Sequence, residues 1–327
     1  MNSVSCLTSV NRVEGTTSNR LWVFDQQYPD LQQTQHAYNA SQSSSSTYEN
    51  DDFYTERGNL YTYGSWYEDQ TSLFGLPAQS QWFGSTLSAE STLTGDDISL
   101  PFDGVLGLAW SLGNEGEGED ASPIVTALKG AEKRQVTIWF NATLSTTGVT
   151  ESKVTIGGND PDHCQLDNIF DDLYVPLTLY KGEQLSIVLE QFYFGDHFES
   201  PATFATLDTS SPTLHFPPLT YQVIFRKAQP DFDWTREILT IDCTKGLQLP
   251  DMAYTINNVE FDVGPQYFVV DVGLGNNQCA FAIDIDAGDY DRGSWVLGTP
   301  FHRLFCTTYD LDAQTVLINL AVGQDSF

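Results

Sequence analysis

Short apolar runs recur along the chain, and few are long enough for a helix of ordinary length. Residues 137–140, 153–156, 173–177, 267–272 and 315–318 have the β-branched and aromatic content of strands. Turn chemistry separates them at Gly157-Gly158-Asn159-Asp160, Asn257-Asn258 and Gly275-Asn276-Asn277. Two segments predict helices. Residues 122–130 offer a capping Ser122, Pro123 for the first turn and Gly130 as a terminator. The second helix follows Pro218 and runs over 219–228. The serine-rich stretch 40–50 and the acidic, glycine-rich stretch 113–120 read as surface loops. The expected class is all-β with a few short helices.

The two halves of the chain echo each other. Asp103-Gly104-Val105-Leu106-Gly107-Leu108-Ala109 resembles Gly293-Ser294-Trp295-Val296-Leu297-Gly298-Thr299, and both set two bulky apolar residues before a glycine. A chain of 327 residues has room for two such units. Asp208 closes the apolar run Phe204-Ala205-Thr206-Leu207 and opens Asp208-Thr209-Ser210. Alone, that triplet reads as a turn capped by its own aspartate. Paired with a second carboxyl, it reads as half of a hydrolytic site in which two carboxyls share one proton. Gly298 lies 90 positions beyond Asp208 (298 − 208), and 90 before Gly107 is Thr17. A duplicated unit therefore expects its own aspartate near Thr17. The only acidic residue before Asp25 is Glu14.

Lys and Arg total 14 against 44 Asp and Glu, a formal charge of −30. Phosphate backbones and anionic membrane surfaces are repelled by such a chain, so neither is an expected partner. No apolar run is long enough for a transmembrane helix. Residues 1–24 lack the basic and apolar regions of a signal peptide. Yet Asn39-Ala40-Ser41 and Asn141-Ala142-Thr143 are glycosylation sequons. The favoured reading of these two facts is that the start of the chain is incomplete. The five cysteines are widely spaced with no CxxC, and Cys6 is the odd thiol. His36, His163, His197, His215 and His302 are scattered, so no metal cluster is expected.

Several segments, in order, resemble the pepsin family of aspartic endopeptidases, in particular its invertebrate gut or lysosomal branch. Phe102-Asp103-Gly104-Val105-Leu106-Gly107-Leu108-Ala109 is similar to the first-lobe core motif, and Leu21-Trp22-Val23 to the strand after the first catalytic loop. Tyr63-Gly64-Ser65 resembles the tip of the flap, expected around 61–67. Trp295-Val296-Leu297-Gly298 with Phe301, Arg303 and Tyr309-Asp310 is similar to the last signature. Leu249-Pro250-Asp251 with Tyr254-Thr255-Ile256 fits the segment after a second-lobe cysteine. The resemblance implies two β-barrel lobes, 1–163 and 164–327, and hydrolysis of peptide bonds by a water held between two aspartates. It implies a peptide or protein ligand in an interlobe cleft, no metal or cofactor, a monomer, and a secreted or lysosomal setting. Asp208 matches the second-lobe aspartate, Thr209 its threonine and Ser211 the following hydroxyl, with Ser210 in place of the glycine. In the first lobe a one-residue gap puts Glu14 on the aspartate, and no gap puts Gly15 there. The resemblance also implies a Cys243–Cys279 disulfide and a Cys164–Cys306 bridge. It departs at Trp66 and Tyr67, which stand where small residues are usual in the flap, so their bulk is expected to narrow the cleft.

Overall fold

The computed structural model describes residues 12–15, 18–57, 60–91, 102–110, 116–142, 152–166, 173–180, 184–285 and 295–324. These residues are mainly β and fall in two compact units, which divide between Lys133 and Arg134 (Gln184 groups with the first). This division lies earlier than the expected 163/164. Gln135–Phe140 and Ser152–Ile156 are drawn to later strands, because Thr137 and Ile138 pair with Thr308 and Thr307. Cys6 lies outside the described residues.

The first unit is built on six strands: β1 (Arg12–Gly15), β2 (Leu21–Phe24), β3 (Thr47–Arg57), β4 (Leu60–Thr71), β5 (Gln79–Ser91) and β6 (Gly104–Gly107). They lie in the order β1-β6-β2-β5-β4-β3. β6 is parallel to β1 and antiparallel to β2. β2 is four residues of unbroken apolar character, and all four are buried, as in a strand covered on both faces. Its Trp22 and Phe24 pack with Tyr28, Phe53, Trp66 and Val105 in one core. Each aromatic buried in this way contributes roughly 1.5–3 kcal/mol.

The second unit repeats this crossing. Its six-stranded sheet runs Thr178–Tyr180, Gln184–Leu189, Thr203–Leu207, Trp295–Leu297, Leu214–Phe216, Ile283–Ile285. Trp295–Leu297 is parallel to Thr203–Leu207 on one side and meets Leu214–Phe216 antiparallel on the other. Two four-stranded sheets and a five-stranded sheet complete the unit. Phe192, Phe216, Tyr254 and Trp295 form its aromatic centre. Both expected disulfides, Cys164–Cys306 and Cys243–Cys279, are present, and all four cysteines belong to this unit.

Local chemistry explains most element ends. Asn257 and Asn258 both have positive φ, 50° and 64°, and join two strands that pair up to Ile256 and Val259. That is a two-residue hairpin turn that asparagine tolerates. The helix Pro218–Ala228 agrees with expectation and ends at Gln229 in the left-handed region, φ 51°. The helix expected over 122–130 is one turn, Pro123–Ala127, tightened into a 3₁₀ turn over Leu128–Gly130. Ser122 does not cap it, because its hydroxyl donates to the Ala109 carbonyl at 2.7 Å. The strand expected over 267–272 is corrected as well. Pro265 starts a helical turn, Pro265–Phe268, and only Val269–Val270 is extended.

Candidate functional site

Asp208 follows the strand Thr203–Leu207, whose last residue pairs with Leu297. Its N–H donates to the Leu297 carbonyl at 3.1 Å, which holds the aspartate beside Gly298. One carboxylate oxygen, Oδ1, accepts from the Ser210 N–H at 2.9 Å and from the Ser210 hydroxyl. The serine that replaces glycine therefore pins the carboxylate. Ser210 is absent from the residues with positive φ, so its backbone does not need glycine. Thr209 and Ser211 are buried, at 4% and 7% exposure. Ser211 Oγ lies 3.0 Å from His215 Nε2 and 2.9 Å from the Thr213 carbonyl. The Ser211 carbonyl accepts from the Thr299 N–H at 2.8 Å.

The crossing leaves no room for a side chain on Gly298. A Cβ there would run into the carbonyls of Thr213 and Ser211. Gly107 is confined in the same way by the carbonyls of Ser18 and Arg20. Thus Ser18 stands in the first unit where Ser211 stands in the second, and Arg20 where Thr213 stands.

The strand registers make the same correspondence. Val105 pairs with Trp22, and Val296 pairs with His215. Seven residues before His215 is Asp208, and seven before Trp22 is Gly15. On the parallel side, Leu207 opposite Leu297 carries Asp208 next to Gly298, whereas Gly15 itself pairs with Gly107. Glu14 pairs with Leu106, one position early. The register thus selects the ungapped alternative, and Gly15 is the counterpart of Asp208. Gly15 lies two residues before Thr17, because Gly15 and Gly107 are 92 positions apart (107 − 15) and Asp208 and Gly298 are 90. Thr16 and Thr17 lie outside the described residues.

Tyr63, Gly64 and Ser65 lie in the body of β4, not at a hairpin tip. β3 and β4 pair antiparallel up to Arg57 and Leu60, which sets that end of the ribbon apart from Tyr63. Gly64 occurs at a register shift against β5, where a Cβ would strike the Ser85 carbonyl. Tyr63 is 40% exposed and packs with Tyr54 and Tyr61 on the hairpin surface. Against the expectation of bulk that narrows a cleft, Trp66 is 1% exposed, edge-on to Phe53 at 4.9 Å, inside the core of the first unit. Tyr67 packs beside Tyr38 and Tyr48.

Two residues near the Asp208 loop, His302 and the signature residue Arg303, are buried in a way the sequence does not show directly. His302 is 1% exposed, and neither ring nitrogen makes a well-formed hydrogen bond. Burial pushes its pKa down to about 4, opposed by the charge of Asp208 and the Leu297 backbone. Arg303 is 3% exposed, and its burial was signalled only by the apolar neighbours Phe301, Leu304 and Phe305. Of the sequons, Asn39 is half-buried and caps a 3₁₀ turn, accepting from the Ser41 N–H at 3.0 Å. Asn141 is half-buried, and its Thr143 lies outside the described residues. No helix among the described residues is long and apolar enough to cross a membrane.

Residues 12–321 match the family model for eukaryotic aspartyl proteases. The chain is 28% identical over 307 residues to aspartic protease 1 of Caenorhabditis elegans, covering 90% of this chain and 74% of that protein. It is 26% identical to cathepsin E of Mus musculus, with 79% and 65% covered, and 24% identical to human gastricsin, with 90% and 74% covered. A match of that extent, on a duplicated crossing that carries Asp208-Thr209, makes the chain a member of the eukaryotic aspartyl protease family.

Proposed function

We propose that this family member has lost, or largely lost, peptide-bond hydrolysis and now works as a peptide- or protein-binding homologue. The observation that supports this reading is the pairing of Gly15 with Gly107, at the counterpart of Asp208. Hydrolysis of this kind needs one carboxylate to take a proton from water and one carboxylic acid to polarise the peptide carbonyl. Glycine supplies neither, and a positioned proton-transfer group contributes ~10²–10⁴ in rate. Glu14 does not restore it from one position away, since a misplacement of about 1 Å can cost ~100-fold. Asp208, pinned by Ser210, is left as one half of a pair. The expected ligand is a peptide or protein, bound by a monomer. A net charge of −30 argues against nucleic acid, and two disulfides suit a secreted or lysosomal setting.

The test is cleavage of a quenched peptide at acid pH by purified protein, with and without pepstatin. Wild type and Asp208→Asn are expected to be equally inactive. Gly15→Asp is expected to raise turnover and Glu14→Asp to leave it unchanged. Pepstatin-sensitive wild-type turnover that Asp208→Asn abolishes would sink the reading.

A further inference from the structure

We propose that the second unit carries a binding site for a small apolar carboxylate, with Arg303 as its anion partner. The site is a cavity of about 500 Å³, lined wholly by residues of that unit. Pockets for small ligands run from roughly 300 to 1,000 Å³. Val270, Phe281 and Ile283, all buried, and Phe140 give it apolar walls, and Ser210 of the Asp208 loop reaches it.

Arg303 lines this cavity at 3% exposure. Its Nη2 donates to the Tyr267 carbonyl, and the guanidinium carbon lies 6.0 Å from the Tyr267 ring centroid. Its Nε has no hydrogen-bond partner, and among the described residues no carboxylate forms an ion pair with it. Burial lowers its pKa to about 10, so it stays charged at neutral and acid pH. A buried charge with no counter-charge is costly unless something pairs with it. A guanidinium beside an apolar cavity meets that need with a carboxylate, which it binds through two parallel N–H donors. The walls call for an apolar body on that carboxylate, which excludes sulfate and phosphate. Glu237 and Asp284 are exposed lining residues and disfavour a second negative group. The ligand class is therefore a monocarboxylate of acyl or apolar-peptidyl origin. This site does not depend on the loss of the aspartate pair.

Calorimetry on the unmutated protein would compare decanoate, N-acetyl-Leu-Phe and neutral decanol. One of the two carboxylates should bind about tenfold more tightly than decanol, and the tighter one identifies acyl or peptidyl origin. Arg303→Met, checked for folding by its thermal melt, should erase that preference. Equal binding of carboxylates and decanol, or no binding by any of the three, would overturn the proposal without recourse to a variant. A preference that survives Arg303→Met would overturn it too.

Discussion

His302 lies in the helical turn Thr299–His302, directly after Gly298. Burial lowers its pKa from the ordinary imidazole value of 6.5 to about 4, so the folded state binds a proton less readily than the unfolded chain. The stability tied to this neutral imidazole is complete above about pH 6.5. It is lost as pH falls through 4, by up to about 3 kcal/mol. Asp160 acts in a lower window. Burial alone would raise its pKa, but hydrogen bonds from His163, Lys153 and Thr155 outweigh this and hold it at about 2. Its contribution is present above its unfolded value and lost only as pH falls through 2. Between pH 6.5 and 4, His302 is thus a buried group that changes, whereas Asp160 changes below that range. His302→Leu should flatten the fall in urea midpoint across that window relative to wild type, and an unchanged slope would contradict the assignment. Sequence alone gave His302 as one of five scattered histidines. Its burial follows from the packing of Phe301 and Phe305 around one turn, which no spacing rule exposes.

At the scale of elements, the crossing strands make a sharper prediction. Gly107→Ala and Gly298→Ala each drive a methyl into two carbonyls of the adjoining loop and should cost roughly 1–3 kcal/mol. Gly130→Ala meets nothing within 4 Å and should be near neutral. Denaturant midpoints of the three variants decide this, and equal effects would rule out the close approach. The same crossing shows what the sequence could and could not tell. The two glycine motifs, the helix after Pro218 and the Asn257-Asn258 turn were legible because each depends on local residue chemistry. The choice between Glu14 and Gly15 was not, since a one-residue gap is free in a string of letters and fixed in a hydrogen-bonded sheet. Tyr63-Gly64-Ser65 misled for a related reason. A glycine next to an aromatic marks a turn as readily as a strand shift against Ser85, and only pairing separates the two.

At the scale of the whole molecule, two electrostatic effects of opposite sign meet as pH falls. Forty-four acidic and 14 basic residues leave −30 charges that repel one another at neutral pH, which opposes the compact state. Protonating exposed carboxylates near pH 4 relieves that repulsion, while the buried His302 loses stability over an adjoining range. Salt separates them. Exposed charges are screened over a Debye length of about 30 Å at 0.01 M and about 10 Å at 0.1 M, whereas a fully buried imidazole hardly feels the ions. Raising ionic strength at pH 7 should therefore raise the Tm of the wild type and of His302→Leu by the same amount. Near pH 4 the salt response should shrink in both, and the difference between the two proteins should be largest there. A Tm indifferent to salt at pH 7 would mean that the acidic surface is spaced too widely for repulsion to matter. A salt-dependent gap between wild type and His302→Leu would mean that His302 titrates in contact with solvent.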